Sequence, residues 1–408
     1  MLTVDEVRSR VLASVGPLDS QEVRVADALG LVLVDDVRAL HSLPRFANSA
    51  MDGYAVRGSD TERASIGDPV ELEVVGEIRA GDPGDIAVEP GTAVRIMTGA
   101  PLPSGADAVV QVEETEERNG VVTVKGSTET GRNVRPAGDD VKEGNLVVAA
   151  GAELGPGELA LLASLGASPL KAIRRPRVAT LATGDELVAP EEVPRSGQIR
   201  DSNSVALRTL VVEAGGIPVE FPPVADDREA TLGTFKRAAA DADLIVSSGG
   251  VSVGRYDYVK EVVEELGEIQ VWRVAMQPGK PIVVGEVMST PFIGLPGNPV
   301  SIHVGFEQFV RPAIRKLRGC MSLLRPVVTA ELTESLHKKP GRLHFVRVRL
   351  DVREGRWRAV PTGAQGSHIQ SSLVDCHGVL RFPLEATELS AGADVEVEVW
   401  KLPEVNDG

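Results

Sequence analysis

The 408-residue chain is too long for one hydrophobic core, and at roughly 100–200 residues per domain it divides into two to four modules. Its formal charge of −16 and its 3% aromatic content argue against a general binder of nucleic-acid backbone and against a stacking platform for single strands. Two cysteines without Cys-x-x-Cys spacing and six histidines without a His-Glu-x-x-His pair signal neither a disulfide framework nor a zinc site. No apolar run approaches the ~20 residues that span a bilayer and no secretory leader opens the chain, so a cytoplasmic protein is expected, with no membrane and no nucleic acid among its partners.

Thr3-Val-Asp-Glu6 matches a capping box, and Val4, Val7, Val11 and Leu12 follow at helical spacing, which predicts a helix to about Val15. From about Gly53 to Val148 the pattern changes to short alternating or β-branched runs separated by Gly, Pro and Asp turns, which read as a small β-domain. A helical pattern returns near Pro156 to Leu165, so that domain reads as an insertion into an N-terminal helical unit. After Arg174-Arg-Pro-Arg177, strands at 178–182, 217–221, 244–246, 281–284 and 292–295 alternate with helical stripes as far as Leu317. This alternation implies right-handed crossovers and a mostly parallel sheet. From Arg325 onward strands dominate again, and a closing β-domain is expected. The predicted fold is therefore a multidomain chain of α/β plus all-β modules. Residues 1–50 and 141–173 form the N-terminal part, 51–140 the inserted β-domain, 174–324 the mostly parallel α/β domain, and 325–408 a barrel-like β-domain.

Three acids sit just past three consecutive predicted strands: Glu186, Asp226 and Asp257. In a parallel sheet they gather at the edge where open α/β sheets bind ligands. The third follows Ser247-Ser-Gly-Gly-Val-Ser-Val-Gly254, whose Ser247, Gly249, Gly250, Ser252 and Gly254 suit a loop with backbone N–H groups free to cradle phosphate. Its glycine spacing resembles a Walker A loop, but Arg255-Tyr256 stands where Lys-Ser/Thr is required, which excludes a P-loop. Lys280 and the turn containing Pro296 and Asn298 add a cation and a second helix start to the same edge. Carboxylates clustered near phosphate repel unless a hard cation joins them, and Mg²⁺ is commonly held by one or two carboxylates plus ligand phosphate and water. Taken alone, the residues point to a Mg²⁺-dependent enzyme acting on a phosphate-bearing ligand.

The chain also carries Asn48-Ser-Ala-Met-Asp-Gly-Tyr-Ala55, Arg95-Ile-Met-Thr-Gly-Ala-Pro101, Thr183-Gly-Asp-Glu-Leu187, Gly294-Leu-Pro-Gly-Asn-Pro-Val-Ser301 and Gly366-Ser-His368. With the 247–254 loop, these motifs resemble end to end the molybdopterin molybdenumtransferases, the MoeA proteins and the corresponding domain of gephyrin. The resemblance implies an elongated homodimer with clefts built from both subunits. It also implies the last step of molybdenum cofactor synthesis, in which adenylylated molybdopterin and molybdate react with Mg²⁺ to give cofactor and AMP. By position, Asp52, Glu186, Asp226 and Asp257 are the expected catalytic acids, the last three as metal ligands. Thr98, Asp140, Arg347 and Ser367 complete the cleft, and Lys280 and the glycine loop hold pterin or nucleotide phosphate. The enzyme that adenylylates molybdopterin and the molybdoenzymes that receive the product are the implied partners. Arg273 and Gln277 stand where family members often have Lys, and at Gln277 a charge is lost. Related sheet domains that adenylylate molybdopterin or, in CinA-like proteins, cleave nucleotides are an alternative, although Gly249-Gly-Val-Ser-Val-Gly254 fits their turns poorly. A non-catalytic scaffold is another.

Overall fold

The computed structural model describes residues 1–250 and 258–404. The chain divides into two compact units, one of Glu22–Leu29 and Asp35–Leu170, the other of Met1–Gln21, Gly30–Val34 and everything from Lys171 onward.

Helix α1 (Val4–Ala13) opens the larger unit. The capping box forms as expected, with the Glu6 N–H donating to Thr3 Oγ1 and the Thr3 N–H to Glu6 Oε2. Val4, Val7 and Val11 turn the helix's apolar stripe into the unit's largest core.

The smaller unit is built on a six-stranded sheet of β1 (Gly53–Val56), β2 (Val70–Ile78), β3 (Thr92–Ile96), β4 (Ala108–Gln111), β5 (Thr115–Arg118) and β6 (Val121–Val124), in the order β4-β1-β3-β2-β6-β5. Only β2 and β3 pair in parallel; the other neighbours are antiparallel. Alternate residues of β1 feed two cores: Tyr54 and Val56 pack with Leu72 and Val122, while Ala55 packs with Val94 and Val109 on the opposite face. Helix α2 (Pro156–Ser164) closes the unit, with proline in its first turn.

In the larger unit, strands and helices alternate: β7 (Arg177–Ala182), α3 (Ser202–Glu213), β8 (Ile217–Glu220), α4 (Arg228–Asp241), β9 (Leu244–Ser248), α5 (Tyr258–Leu266), β10 (Ile269–Arg273), β11 (Met276–Gln277), β12 (Pro281–Val287), β13 (Thr290–Leu295) and α6 (Pro299–Gly305). The central sheet runs β8-β7-β9-β13-β12-β10. Its first four strands are parallel; β12, joined to β13 by a tight hairpin, runs against them, and β10, antiparallel to β12, runs with them again. Residues alternate between two helical layers. Val178, Leu244 and Val246 meet α3 and α6, while Ala179, Leu181 and Ile245 meet α4 and α5.

The sequence predicts one closing helix through Ile302, Phe306, Phe309, Ala313 and Leu317. Instead α6 widens into a π-helical turn, Phe306–Val310, before α7 (Arg311–Leu317). Pro312 supplies the reason, since it has no N–H to return to the Gln308 carbonyl one turn earlier. Arg8 of α1 donates to that carbonyl instead, at 3.0 Å.

The chain ends in a five-stranded barrel of β14 (Val327–Leu332), β15 (Leu343–Arg353), β16 (Arg356–Pro361), β17 (Gly378–Phe382) and β18 (Asp394–Val399). The order β15-β16-β14-β18-β17 closes through pairing of β15 with β17, and β11 attaches to the start of β15. The fold is thus the expected combination of α/β and all-β modules.

Candidate active site

The carboxyl ends of β8, β7, β9 and β13 lie side by side, and the turns that follow them carry the acids and the glycine loop. β7 leads to β8 on one side, whereas β9 returns on its other side. Such a change of direction opens the crevice in which doubly wound sheets bind ligands.

Two adjoining cavities occupy this edge. The smaller, about 310 Å³, is lined by Thr183, Gly184, Glu186, Asp226, Thr231, Ser248, Gly249, Gly250 and Tyr258, among others. The larger, about 820 Å³, shares Glu186, Asn203, Gly249, Gly250 and Gly297 with it. It extends over Gln277, Lys280, Pro296, Asn298, Arg342 and Ser367.

The acidic end is held by backbone geometry. Gly184 adopts φ +148°, and a Cβ there would collide with the Glu186 carboxylate, so glycine lets that side chain fold back over the turn. The Asp226 N–H donates to Asp185 Oδ1 at 2.9 Å, tying the turn after β8 to the turn after β7. Asp227, next in the chain, caps α4 by accepting from the Ala230 N–H, which leaves Asp226 itself free for the cavity. Burial first, then the charges of Asp185 and Glu186, push the Asp226 carboxyl above its ordinary range. The mutual repulsion of Asp226 with Asp185 and Glu186 would be eased by a bound cation. Among the described residues no three His, Cys, Asp or Glu side chains gather as a ready-made metal site. Glu186 and Asp226 therefore fit a cation that takes its remaining oxygens from ligand phosphate and water. Asp257, Ser252 and Gly254 lie outside the described residues.

The glycine turn after β9 is tightly specified. Gly249 and Gly250 have φ +86° and +69°, and the Gly249 N–H donates to the Leu295 carbonyl. Ser247, expected to face a ligand, is instead fully buried and lines neither cavity; strand alternation turns it to the side of the sheet opposite Ser248.

The larger cavity is lined by the cations Arg200, Lys280 and Arg342. Asn298 occupies the N-cap position of α6 as expected, but its side chain makes no cap; it donates to Ser367 Oγ at 3.0 Å and so ties the sheet turn to the barrel loop. Arg347 is not the cleft cation the sequence suggested. It is fully buried, and its guanidinium donates to Ser372 Oγ and to the carbonyls of Ala364, Gln365 and Gly366. It braces the loop that presents Ser367. Arg273 ends β10 and lines neither cavity.

Asp52, Thr98 and Asp140 belong to the smaller unit. The Thr98 N–H and Oγ1 both donate to Asp52 Oδ1, at 2.7 and 2.8 Å. These bonds, the backbone one foremost, hold the exposed Asp52 carboxylate below its usual range. Asp140 is exposed.

Sequence reasoning missed two cavity residues. Asn203 donates through Nδ2 to Ser248 Oγ and to the Gly297 carbonyl, bridging the ends of β9 and β13. Its signal was the Asp201-Ser-Asn start of α3, where Asp201 accepts from the Ser204 N–H as N-cap. Arg342 sits in the Pro340-Gly-Arg turn before β15, which has no distinctive pattern.

Family models match the chain almost throughout: the MoeA N-terminal region (domain I and II) at residues 2–166, a probable molybdopterin binding domain at 179–316, and the MoeA C-terminal region (domain IV) at 329–400. The chain is 41% identical over 386 residues to molybdopterin molybdenumtransferase 2 of Mycobacterium tuberculosis, covering 93% of this chain and 94% of that one. It belongs to the MoeA family. A molybdopterin molybdenumtransferase of Haemophilus influenzae is 38% identical over 402 residues, with 98% of each chain covered. Among solved structures, the molybdopterin biosynthesis MoeA protein from Pyrococcus horikosii superposes with a TM-score of 0.81 at 33% identity, covering 98% of this chain and 99% of that one. Membership assigns the chain to molybdenum cofactor biosynthesis as a transferase. No helix among the described residues is long and apolar enough to cross a membrane.

Proposed function

We infer that the chain transfers molybdenum to adenylylated molybdopterin with release of AMP, using the two adjoining cavities as one site. The observation that carries this reading is a gradient of charge across them: Asp226 lines only the smaller cavity, Glu186 lines both, and Arg200, Lys280 and Arg342 line only the larger, whose other acid, Asp201, caps α3. A ligand with a phosphate at one end and an oxyanion-accepting dithiolene at the other matches that polarity.

Within this reading Glu186 and Asp226 would hold Mg²⁺ together with substrate phosphate, and Asp257 is proposed to join them. A bound Mg²⁺ would neutralise phosphate charge as the P–O bond to AMP breaks. With the Gly249 N–H committed to the Leu295 carbonyl, the Gly250 N–H is the one left in this turn to orient the phosphate. Lys280, Arg342 and Ser367 receive molybdate, a tetrahedral dianion, by charge and hydrogen bonds. Asn203 keeps the two turns at a fixed separation.

We further propose a cytoplasmic homodimer whose sites are completed by Asp52, Thr98 and Asp140 of the partner subunit. Incubating the purified protein with adenylylated molybdopterin, Mg²⁺ and molybdate should yield AMP and active cofactor. Unchanged AMP release after Glu186→Gln would sink the assignment of the acids. Mixed dimers of Asp52→Ala and Glu186→Gln chains should regain about half of the activity if sites are shared, and none if they are not.

A further inference from the structure

One wall of the larger cavity rests on a row of residues shared by three strands. β11 runs parallel to the start of β15 with Gln277 opposite His344, and β15 pairs with β17 with His344 opposite Phe382. Residues paired in this way project from one face of a sheet, so Gln277, His344 and Phe382 form a row. Arg342 lies two positions before His344, in the bend that leads into β15. The alternate residues Met276 and Phe345 belong to the core on the other face. Gln277 and Arg342 line the cavity; His344, not itself in the lining, is paired with the first and lies two positions along the chain from the second.

His344 is 7% exposed, and neither Nδ1 nor Nε2 has a hydrogen-bond partner among the described residues. Buried imidazoles normally satisfy at least one nitrogen. The charges acting on the ring are all positive: Arg347 and Arg342 from its own strand and turn, and Lys338, whose ammonium lies 4.9 Å from the centre of the Phe382 ring. Gln277 and Phe382, its neighbours across the sheet, are uncharged. An idle N–H donor among cations, next to two residues of a cavity wall, suits an anion. Burial foremost, and then these cations, push the ring down to about 4, so at neutral pH it offers one donor and one acceptor.

We propose that neutral His344 completes a tetrahedral-dianion subsite with Gln277 and Arg342, donating its ring N–H to one oxygen while its other nitrogen accepts from the Gln277 amide. This rests on the reading of the larger cavity as the oxyanion end of the site. Molybdate and the phosphate of the nucleotide share the required chemistry.

The test is calorimetric titration of the full chain with inorganic molybdate, inorganic phosphate and AMP, for the unaltered protein, His344→Phe and His344→Gln. His344→Phe should weaken anion binding about tenfold, the size of one hydrogen bond to a charged acceptor, while His344→Gln, which keeps a donor and an acceptor, should stay within about threefold. Loss seen with molybdate assigns the subsite to the oxyanion substrate; loss confined to phosphate and AMP assigns it to the nucleotide. If His344→Phe does not fold, ring ¹⁵N NMR of the unaltered protein decides: saturating anion should raise the pH at which His344 titrates, because a nearby dianion favours imidazolium. Unchanged affinity in His344→Phe, or an unmoved titration, overturns the proposal. Absence of AMP release from the unaltered protein would instead defeat the catalytic reading and leave the anion titrations standing.

Discussion

Arg325 grips Glu307 with two parallel hydrogen bonds, Nε to Oε2 and Nη2 to Oε1, each 3.0 Å. Glu307 lies on the π-helical turn and Arg325 at the entry to the barrel. The same guanidinium donates to Glu213 of α3 at 2.6 Å and to the Trp400 carbonyl at 3.0 Å. Burial opposes its charge, but the hydrogen bonds and charges of Glu307 and Glu213 outweigh it and hold Arg325 above its ordinary value. Arg311, in the same pocket, is pushed down to about 10 by burial and by Arg325. Glu307 is therefore the buried anion shared by buried Arg311 and partly buried Arg325. Arg325→Ala should cost about 3–5 kcal/mol in urea unfolding, because it strands a carboxylate beside Arg311 with only part of its countercharge. A loss below about 1 kcal/mol would show that the pair is dispensable.

Asp226 should behave in the opposite way. Its raised pKa means that ionising it in the cation-free fold is unfavourable, so stability contributed at low pH is lost as pH rises from the unfolded value of 3.8 through the folded one. Asp226→Asn removes that repulsion. The variant should be as stable as the parent or slightly more so at pH 7 without Mg²⁺, yet gain less on adding Mg²⁺ and release little AMP. A variant that is destabilised but active would remove Asp226 from cation binding.

Gly250 tests the phosphate turn. With φ at +69° and the site of a Cβ overlapping Val259 of α5, Gly250→Ala combines backbone strain with a clash in the core. A loss of about 2–4 kcal/mol is expected. AMP binding should weaken more than stability falls if the Gly250 N–H holds phosphate. Full AMP affinity in a destabilised but folded protein would leave the turn with a packing role only.

Much of this was legible in the chain because it depends on local rules. The capping box at Thr3, the glycines at 249 and 250, and the parallel strands that bring Glu186 and Asp226 to one edge all follow from spacing and residue type. What escaped depends on contacts distant in sequence. Ser247 and Ser248 are chemically alike, and only the strand's phase decides which faces the cavity. Arg347 and Arg342 flank the same strand start, yet alternation and the carbonyls at 364–366 bury the first, while the second lines the cavity. The π-helical turn needed knowledge that Arg8, about 300 residues earlier, reaches the Gln308 carbonyl.

Acid stability provides a check on His344 separate from ligand binding. Below its ordinary pKa of 6.5 the unfolded chain takes up a proton that the folded ring refuses until about pH 4. Stability should therefore fall as pH drops through that window, by up to about 3 kcal/mol. Partly buried His303, also lowered chiefly by desolvation, adds to the same slope. His344→Gln should flatten the fall between pH 6.5 and 4 in guanidinium titrations; an unaltered slope would mean that the ring is accessible and titrates normally.

Gln277 offers the last test. It lines the larger cavity beside Lys280, and across the parallel pairing with β15 it faces His344. An amide gives neutral hydrogen bonds where an ammonium would give charge-assisted ones, which are about twice as strong. Gln277→Lys should lower the molybdate concentration needed for cofactor formation by about three- to thirty-fold, equivalent to about 1–2 kcal/mol. The added charge also enters a wall that already holds Arg342, so the gain should shrink as salt is raised. If molybdate dependence does not move, Lys280 and Arg342 already supply the charge the oxyanion requires, and Gln277 serves geometry rather than affinity.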